Sequence, residues 1–333
     1  MTVSQIARFA QARARHALRT AGLADDGPLE RASSTRNEVF VGDEHVVRVN
    51  RQPDQRLRRE ALLCEYLPHA SWAPRVVAYG GEFGADYLIV ERLPGAPLGR
   101  FWPDMTVAQR RSAIEQLGAA TRELHQVRTP ARLPRVENLP YLIDPRCLTP
   151  LVPLLIALDD LRQIGVDPGL MTAAEEIVHR TGDALADYDR RHVIHGDLTF
   201  ENLLWDGARL TGILDFEWCR GAPLDLELDV LLRVCAFPFA HVAEDYEYRT
   251  LARDYAPIPE WLAELRPDLF AHPRLFERLR LYCMAFDVCD LMLDPHVGSM
   301  SDIGPLHPLR RLESLVDTGG HLERLLAPLG FGS

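Results

Sequence analysis

The chain contains no lysine, so all 37 of its basic residues are arginine, and they are outnumbered by 48 acidic residues for a formal net charge of −11. A protein with this charge lacks the basic face that phosphate backbones require, and we expect no nucleic-acid partner. The sequence also lacks any run of about 20 apolar residues, the length that a membrane-spanning helix needs. We therefore expect no membrane partner.

Cysteine is scarce and scattered. The six cysteines form no CxxC pair, which argues against a structural zinc site and a disulfide framework. The N-terminal segment mixes Ala, Ile and Leu with Arg and Gln at helical spacing and lacks the continuous apolar segment of a secretory signal. These features predict a cytoplasmic protein.

Length and charge distribution indicate two unlike halves. A chain of 333 residues with 47% apolar positions can form two lobes, and ligands commonly bind between such lobes. Residues 1–95 hold 13 arginines and 12 acidic residues, whereas the remainder holds 24 and 36. The acidic second half is compatible with a cationic ligand, although an acidic solvated surface also explains it.

Period-two patterns dominate the first 95 residues after one amphipathic helix over 4–21. The runs EVFVG and HVVRVN predict a hairpin, a helix is expected to open at Pro53, and further strands are predicted over 75–80 and 86–93. Pro94, Gly95 and Pro97 then interrupt regular structure. We therefore divide the chain into an N-terminal lobe, 1–95, and a C-terminal lobe, 96–333.

Helical periodicity dominates the second lobe. Apolar recurrence at i, i+3 and i+4 predicts helices over 107–126, 171–190, 224–236, 273–294 and 308–326. Proline-rich stretches at 130–153 and 257–273 are expected to be irregular connections. The exception to the helical pattern is 192–218, where two short apolar runs predict one small hairpin.

This exceptional segment carries residues suited to phosphoryl transfer. It contains His195-Gly196-Asp197, then Asn202 five residues after that Asp, and Asp215 eighteen residues after it. Asn202 and Asp215 offer the hard oxygens that Mg²⁺ prefers. Asp197 is then free to orient an acceptor hydroxyl and take its proton, and we expect His195 only to brace the loop.

The stretch HGDLTFENLLW, followed by LTGILDFEW, resembles the catalytic and metal-binding loops of the aminoglycoside phosphotransferase and choline-kinase-like family. Members of that family are small-molecule kinases with a protein-kinase-like fold. The resemblance implies an α+β, two-lobed protein, with a small N-terminal lobe built on an antiparallel sheet and a larger, mostly helical C-terminal lobe. It also implies that 1–95 is the nucleotide-binding lobe and 96–333 the catalytic and substrate-binding lobe, with Asp197 as the catalytic residue and Asn202 and Asp215 as the Mg²⁺ ligands.

The same resemblance implies a set of nucleotide-binding residues. Arg48 would hold the α- and β-phosphates in partnership with Glu60, although Arg48 could instead point to solvent and Glu65 could compete with Glu60. The segment containing Ser34, Thr35 and Asn37 would cover the phosphates, or form an ordinary surface turn.

The segment IVERLPG resembles the family's linker between lobes. By this resemblance the carbonyl of Glu91 and the amide of Leu93 would contact the purine. Such main-chain contacts do not discriminate ATP from GTP, so both remain candidate nucleotides.

Acidic residues of the second lobe predict the acceptor. Asp287, Asp290 and Asp294 fall on one helical face, and the resemblance brings Glu217 to the same neighbourhood. An acceptor with several ammonium groups would suit Glu217, Asp287 and Asp290, although a solvated acidic face is the alternative.

We therefore predict a Mg²⁺-dependent kinase that uses ATP or GTP to phosphorylate a hydroxyl of a small-molecule acceptor. The acceptor is expected to be an aminoglycoside-type antibiotic, and the protein a monomer or a homodimer with a possible role in antibiotic resistance. One alternative is a kinase for a neutral antibiotic (macrolide or nucleoside) or a metabolic hydroxyl (choline, homoserine, fructosamine). Another is a non-catalytic nucleotide-binding relative.

Overall fold

A computed structural model of the chain describes residues 3–32, 34, 37–67, 70–134, 141–144, 146–147 and 149–332. The first lobe consists of α1 (Val3–Thr20), β1 (Glu30–Ala32), β2 (Asn37–Val41), β3 (His45–Asn50), α2 (Arg56–Cys64), β4 (Val76–Gly80) and β5 (Tyr87–Glu91). Its strands form an antiparallel sheet in the order β1-β2-β3-β5-β4. The predicted hairpin, helices and following strands are confirmed, except that α2 begins at Arg56 and not at Pro53, and the short edge strand β1 is an addition.

Strand β3 has two differently occupied faces because alternate side chains point to opposite sides of a sheet. Val47 and Val49 lie in an apolar cluster with Ala10, Ala14, Ala17 and Leu18 of α1. Val46 packs on the opposite face against the cluster formed by α2 and β5. The alternation therefore turns Arg48, which is also on this second face, towards α2.

The second lobe is larger and mostly helical. Its helices are α3 (Leu98–Phe101), α4 (Val107–Leu124), α5 (Val152–Gln163), α6 (Pro168–Thr181), α7 (Leu226–Ala236), α8 (Ile258–Leu265), α9 (Leu275–Leu293), α10 (Pro308–Thr318) and α11 (Gly320–Leu326). Its strands are β6 (Ala96–Pro97), β7 (Val193–Ile194), β8 (Leu203–Trp205), β9 (Leu210–Ile213) and β10 (Arg220–Gly221). These elements share one large apolar core. No helix in the described ranges has the length and hydropathy of a membrane span.

The helix predictions are correct for α4, α7 and α9 and need correction elsewhere. The helix predicted over 171–190 ends at Thr181, and the one predicted over 308–326 is divided at Gly319, whose φ of 78° ends α10. Helix α8 lies within 257–273, which we expected to be irregular, and α5 was not predicted. Both α5 and α8 carry a proline in the first turn, where the missing N–H removes no helical hydrogen bond.

The short strands hold the predicted catalytic segment at both ends. Strand β7 pairs with β10, and β8 pairs with β9 as the predicted hairpin. The loop over 195–202 therefore follows β7 and leads into β8, while the loop over 214–219 joins β9 to β10. Since these pairings fix both ends of each loop, Asp197 and Asp215 are brought to the same side of the lobe.

The segment that enters the second lobe passes very close to the Trp205 carbonyl at Gly95. Strand β6, which follows it, pairs with β8. Gly95 has a φ of 100°, and a Cβ placed there would lie 2.5 Å from the Trp205 carbonyl oxygen. Gly207 has a similar φ of 103° but has no atom within 4 Å of a Cβ, so the two glycines differ only in their surroundings.

We predict that Gly95→Ala destabilises the protein more than Gly207→Ala. Gly207→Ala should cost only the backbone strain of about 1–2 kcal/mol, whereas Gly95→Ala adds a clash with backbone worth a further 1–3 kcal/mol or so. Chemical denaturation of the two purified variants measures the difference. Equal losses would show that the chain next to Trp205 relaxes freely.

Candidate functional site

A buried arginine joins the two lobes. Arg48 on β3 forms an ion pair with Glu60 on α2, and its Nη2 donates to Asp215 Oδ1 at 2.9 Å. Glu217 Oε2 lies 3.6 Å from the same nitrogen. Glu60 is thus the partner of Arg48, and Arg48 does not point to solvent.

Glu217 is held beneath this cluster by a second arginine. Arg56 of α2 lies 3.2 Å from Glu217 Oε1, and its guanidinium stacks over the Trp218 ring at 4.5 Å. Burial raises the pKa of Glu217, and the charge of Asp215 adds to that shift. Arg56 therefore satisfies Glu217 Oε1, whereas the buried Glu217 Oε2 has no hydrogen-bond partner among the described residues.

The loop between β7 and β8 places Asp197 beside Asn202. Asn202 Nδ2 donates to the Asp197 backbone carbonyl at 2.8 Å and to Asp197 Oδ2 at 2.9 Å. The Leu214 amide donates to the Asn202 carbonyl at 2.8 Å, which ties this loop to the segment that carries Asp215. Burial raises the pKa of Asp197 to about 7, and the nearby negative charge of Asp215 reinforces the shift.

Asp215 adopts an unusual backbone conformation. Its φ of 65° makes it the sole non-glycine residue with positive φ in the described part of the chain. Aspartate tolerates the left-handed region better than most residues, and strain of this kind persists where surrounding structure enforces it. Here the enforcing contacts include the Leu214 amide and the Arg48 guanidinium.

A buried polar chain supports the catalytic loop from behind. Glu227 on α7 accepts hydrogen bonds from the amides of His195, at 2.8 Å, and Gly196, at 2.9 Å. His125 Nε2 lies 3.1 Å from Glu227, and Arg266 Nη2 lies 2.8 Å from the other His125 ring nitrogen. We call Arg266, His125 and Glu227 the buried brace.

The buried brace also affects the ionisation of Glu227. Burial alone would raise the pKa of Glu227, but the hydrogen bonds from His125 and the Gly196 amide hold that pKa below its usual range. His195 completes the support because its Nε2 lies 2.9 Å from the Leu214 carbonyl oxygen. His195 thus braces the loop as expected, whereas nothing in the sequence pattern marked Glu227 or Arg266.

The predicted phosphate-covering segment is only partly within the described residues. The Asn37 amide donates to Ser34 Oγ at 3.4 Å, and the buried Asn37 Nδ2 has no hydrogen-bond partner in the structure. Thr35 lies outside the described residues. Glu91 ends β5 with its amide bonded to the Arg75 carbonyl, and Leu93 lies against Gly212 of β9.

The predicted acceptor-binding acids are separated by their partners. Asp287 and Asp290 lie on α9, and both contact Arg311, at 2.6 Å and 3.3 Å respectively. Asp294 is the residue at which α9 ends. Glu217 therefore lies with the phosphate-site cluster, and Asp287 and Asp290 form a second, arginine-neutralised group.

Comparison with known proteins identifies relatives of this arrangement. The model of the phosphotransferase enzyme family (APH) matches residues 28–265. An aminoglycoside 3'-phosphotransferase of Streptomyces fradiae is 32% identical over 177 residues, which are 48% of this chain and 57% of that protein. The alignment thus spans little more than half of this relative.

Solved aminoglycoside phosphotransferases share the fold. One is APH(4)-Ia in a ternary complex with ADP and hygromycin B, with a TM-score of 0.58 at 15% identity over 91% of this chain and 97% of that one. Another is ADP-bound APH(2'')-Ib, with a TM-score of 0.58 at 13% identity over 93% and 98%. The predicted two-lobed α+β fold is thereby confirmed.

We predict that Glu227→Gln loosens the catalytic loop. Glutamine offers one acceptor oxygen where two amides and His125 need three acceptor contacts, so the free energy of unfolding should fall by about 3 kcal/mol. Because the pKa of Glu227 is depressed in the folded protein, its carboxylate contributes stability above the ordinary glutamate pKa of 4.5, and this contribution is lost as pH falls below that value. Denaturation at pH 7 and pH 4 measures both effects.

The matched control is Glu264→Gln, whose carboxylate forms an exposed ion pair with Arg111. Such pairs contribute about 0.5 kcal/mol or less. If both variants lose the same stability, the brace does not support the loop.

Proposed function

The chain belongs to the phosphotransferase enzyme family, and we propose that it transfers the γ-phosphoryl group of ATP or GTP to a hydroxyl of an antibiotic or similar metabolite. The observation that carries the proposal is the meeting of Asp197, Asn202 and Asp215 beside the Arg48 guanidinium. Phosphoryl transfer requires mainly positioning and charge neutralisation, and this cluster provides the groups for both. A chain that retains all of these groups on adjoining loops is poorly explained as a non-catalytic relative.

Asp197 is the proposed catalytic base. The Asn202 amide fixes Asp197 Oδ2, so the other carboxylate oxygen is the one proposed to orient the acceptor hydroxyl. That oxygen would accept the hydroxyl proton as the oxygen–phosphorus bond forms. Transfer then breaks the bond between the γ-phosphorus and the bridging oxygen, which leaves with the nucleoside diphosphate.

Asn202 and Asp215 fit a magnesium site. Asn202 uses its amide nitrogen to hold Asp197, which leaves its amide oxygen as a hard ligand beside Asp215. Within the described ranges no three His, Cys, Asp or Glu side chains form a metal-binding group, which fits an ion held by two protein oxygens and by phosphates. Bound there, Mg²⁺ would offset the negative charge of the triphosphate.

The remaining nucleotide contacts follow the family pattern. Arg48, held by Glu60, is proposed to grip the phosphates, and the segment with Ser34, Thr35 and Asn37 to cover them. The main chain at Glu91 and Leu93 is proposed to contact the purine. A guanidinium can hold two phosphate oxygens at once, so arginine can serve where many kinases use lysine.

An aminoglycoside-type acceptor is the first candidate. It is supported by the similarity to the Streptomyces fradiae enzyme and by the acidic residues Glu217, Asp287 and Asp290 in the second lobe. A polycationic acceptor would gain most from Asp290, whose side chain is 39% exposed and is therefore the most accessible of the three.

A neutral acceptor is the second candidate, and a specific observation favours it. Arg311 already neutralises Asp287 and Asp290, and Arg48 and Arg56 neutralise Glu217. Ammonium groups would have to compete with these arginines. A neutral macrolide or nucleoside, or a metabolic alcohol, would not.

We predict that Asp197→Asn abolishes most transfer while nucleotide binding persists. Loss of the base should lower kcat by roughly 10²–10⁴-fold, whereas nucleotide affinity should stay within about threefold because Arg48 and Glu60 are unchanged. Steady-state kinetics with an identified acceptor and calorimetric titration of Mg²⁺–nucleotide measure the two quantities.

Asp206→Asn is the matched control, since Asp206 accepts hydrogen bonds from backbone amides in the exposed β8–β9 turn. It should keep the wild-type kcat. Turnover at the wild-type rate in Asp197→Asn would remove Asp197 from the mechanism.

We predict that the dependence of KM on the charge of Asp290 and on ionic strength distinguishes a cationic acceptor from a neutral one. With an aminoglycoside acceptor, Asp290→Asn should raise KM several-fold at unchanged kcat, because uniform binding is lost, and KM should rise with ionic strength. Glu313→Gln on α10, where Glu313 pairs with Arg310, is the control. Nucleotide consumption across a panel of cationic and neutral hydroxyl compounds supplies the acceptors, and turnover confined to neutral compounds would reject the first candidate.

A further inference from the structure

A cavity of about 980 Å³ lies next to the catalytic loop but outside the site described above. Its described lining comes from α2, α5 and β10, and from residues within 129–133, 141–144, 146 and 188–191. Asp197, Asn202 and Asp215 are not among these residues. Its volume is that of a pocket for a small organic molecule.

The lining is strongly basic in a protein whose net charge is negative. Five arginines line the cavity, against a single carboxylate, Asp144. Asp144 pairs with Arg146, and Arg191 at the rim pairs with Asp189. Three arginines of the lining, Arg59, Arg190 and Arg220, have no such ion pair within the described ranges, and Arg59 and Arg220 are the buried ones.

Arg59 and Arg220 are buried without acidic partners. They are 6% and 9% exposed, and neither makes an ion pair anywhere in the described part of the chain. Arg59 donates to the carbonyls of Cys219 and Pro134. Arg220 Nη1 donates to the Trp218 carbonyl at 2.9 Å, and its buried Nη2 has no hydrogen-bond partner among the residues that the structure describes.

Two uncompensated guanidinium groups this close are unfavourable on their own. Burial, reinforced by the charge of Arg220, lowers the pKa of Arg59 to about 10. Buried charges are normally paired, and a guanidinium presents several donors in one plane. Both side chains line the cavity, so an anion entering it would meet their positive charge.

We propose that this cavity binds a phosphate-bearing small molecule through Arg59 and Arg220. Phosphate oxygens match the fork of a guanidinium, and the unpartnered Arg220 Nη2 supplies a donor. The organic part would lie against Tyr141, Tyr188 and Leu133 of the same lining, and the Tyr141 ring already stacks with Arg220 at 5.0 Å.

This cavity lies next to the residues proposed to bind the phosphates. Arg59 directly precedes Glu60, the partner of Arg48, on α2. Arg220 Nη1 would lie 2.6 Å from a Cβ at Gly196, so it touches the residue before Asp197. A bound phosphate would therefore bridge α2 to the catalytic loop, and this binding does not depend on which acceptor the enzyme uses.

The test is a thermal-unfolding titration with inorganic phosphate and with phenyl phosphate, at ionic strength held constant with sodium chloride. Ligand that binds only the folded protein raises Tm in a saturable way. To exclude phosphate held at the nucleotide site, the titration is repeated in the Arg48→Gln variant. The expected result is a saturable rise in both proteins.

Arg220→Gln should weaken phosphate binding at least about tenfold, because charge-assisted hydrogen bonds are lost, and Arg59→Gln is a second variant should the first fail to fold. Arg191→Gln, at the paired rim, is the control and should stay within about threefold of wild type. Tighter binding of phenyl phosphate supports an organic phosphate, and equal binding supports free phosphate. No rise beyond that with chloride, or an equal rise in Arg220→Gln, overturns the proposal whether or not the protein is a kinase.

Discussion

The guanidinium of Arg48 is the interaction on which the rest of the site depends. Arg48 lies on β3 of the first lobe, pairs with Glu60 on α2, and contacts Asp215 and Glu217 of the second lobe. Removing one partner from a buried ion pair costs about 3–5 kcal/mol because the remaining charge is left uncompensated. The same contacts that join the lobes therefore also hold the residues proposed to bind the phosphates and the residue proposed to bind the metal in one place.

Because the chain has no lysine, its buried ion pairs use arginine, and the structure shows how one guanidinium contacts several partners at once. A guanidinium can satisfy a carboxylate and a backbone carbonyl together, as Arg278 does with Asp225 and Ala184. Arg266 likewise contacts Asp268, Thr121 and His125 at once. The buried brace depends on this reach, since the single ammonium of a lysine has no planar fork with which to span such separate partners.

Local patterns allowed much of the fold and the centre of the site to be predicted. Asp197, Asn202 and Asp215 occur within one short segment, so their spacing is readable along the chain, and the alternation of β3 predicts that Arg48 and Val47 face opposite ways. Glu227, His125 and Arg266 could not be found in this way, because the contacts that join these three residues to one another link positions more than 100 apart in the chain. Helices α5 and α8 were missed because a first-turn proline resembles a loop signal, and the pairing of Asp287 with Arg311 depends on how α9 meets α10.

The left-handed backbone at Asp215 restricts the evolutionary choices at that position. Of the residues reachable from an aspartate codon by one base change, asparagine and glycine are the ones that accept such a conformation readily. Neither of them carries the anionic oxygen that Arg48 binds. A single-base amino-acid change at this codon therefore loses either the local backbone geometry or the negative charge. Almost no such change is expected to be neutral in a protein that retains its function.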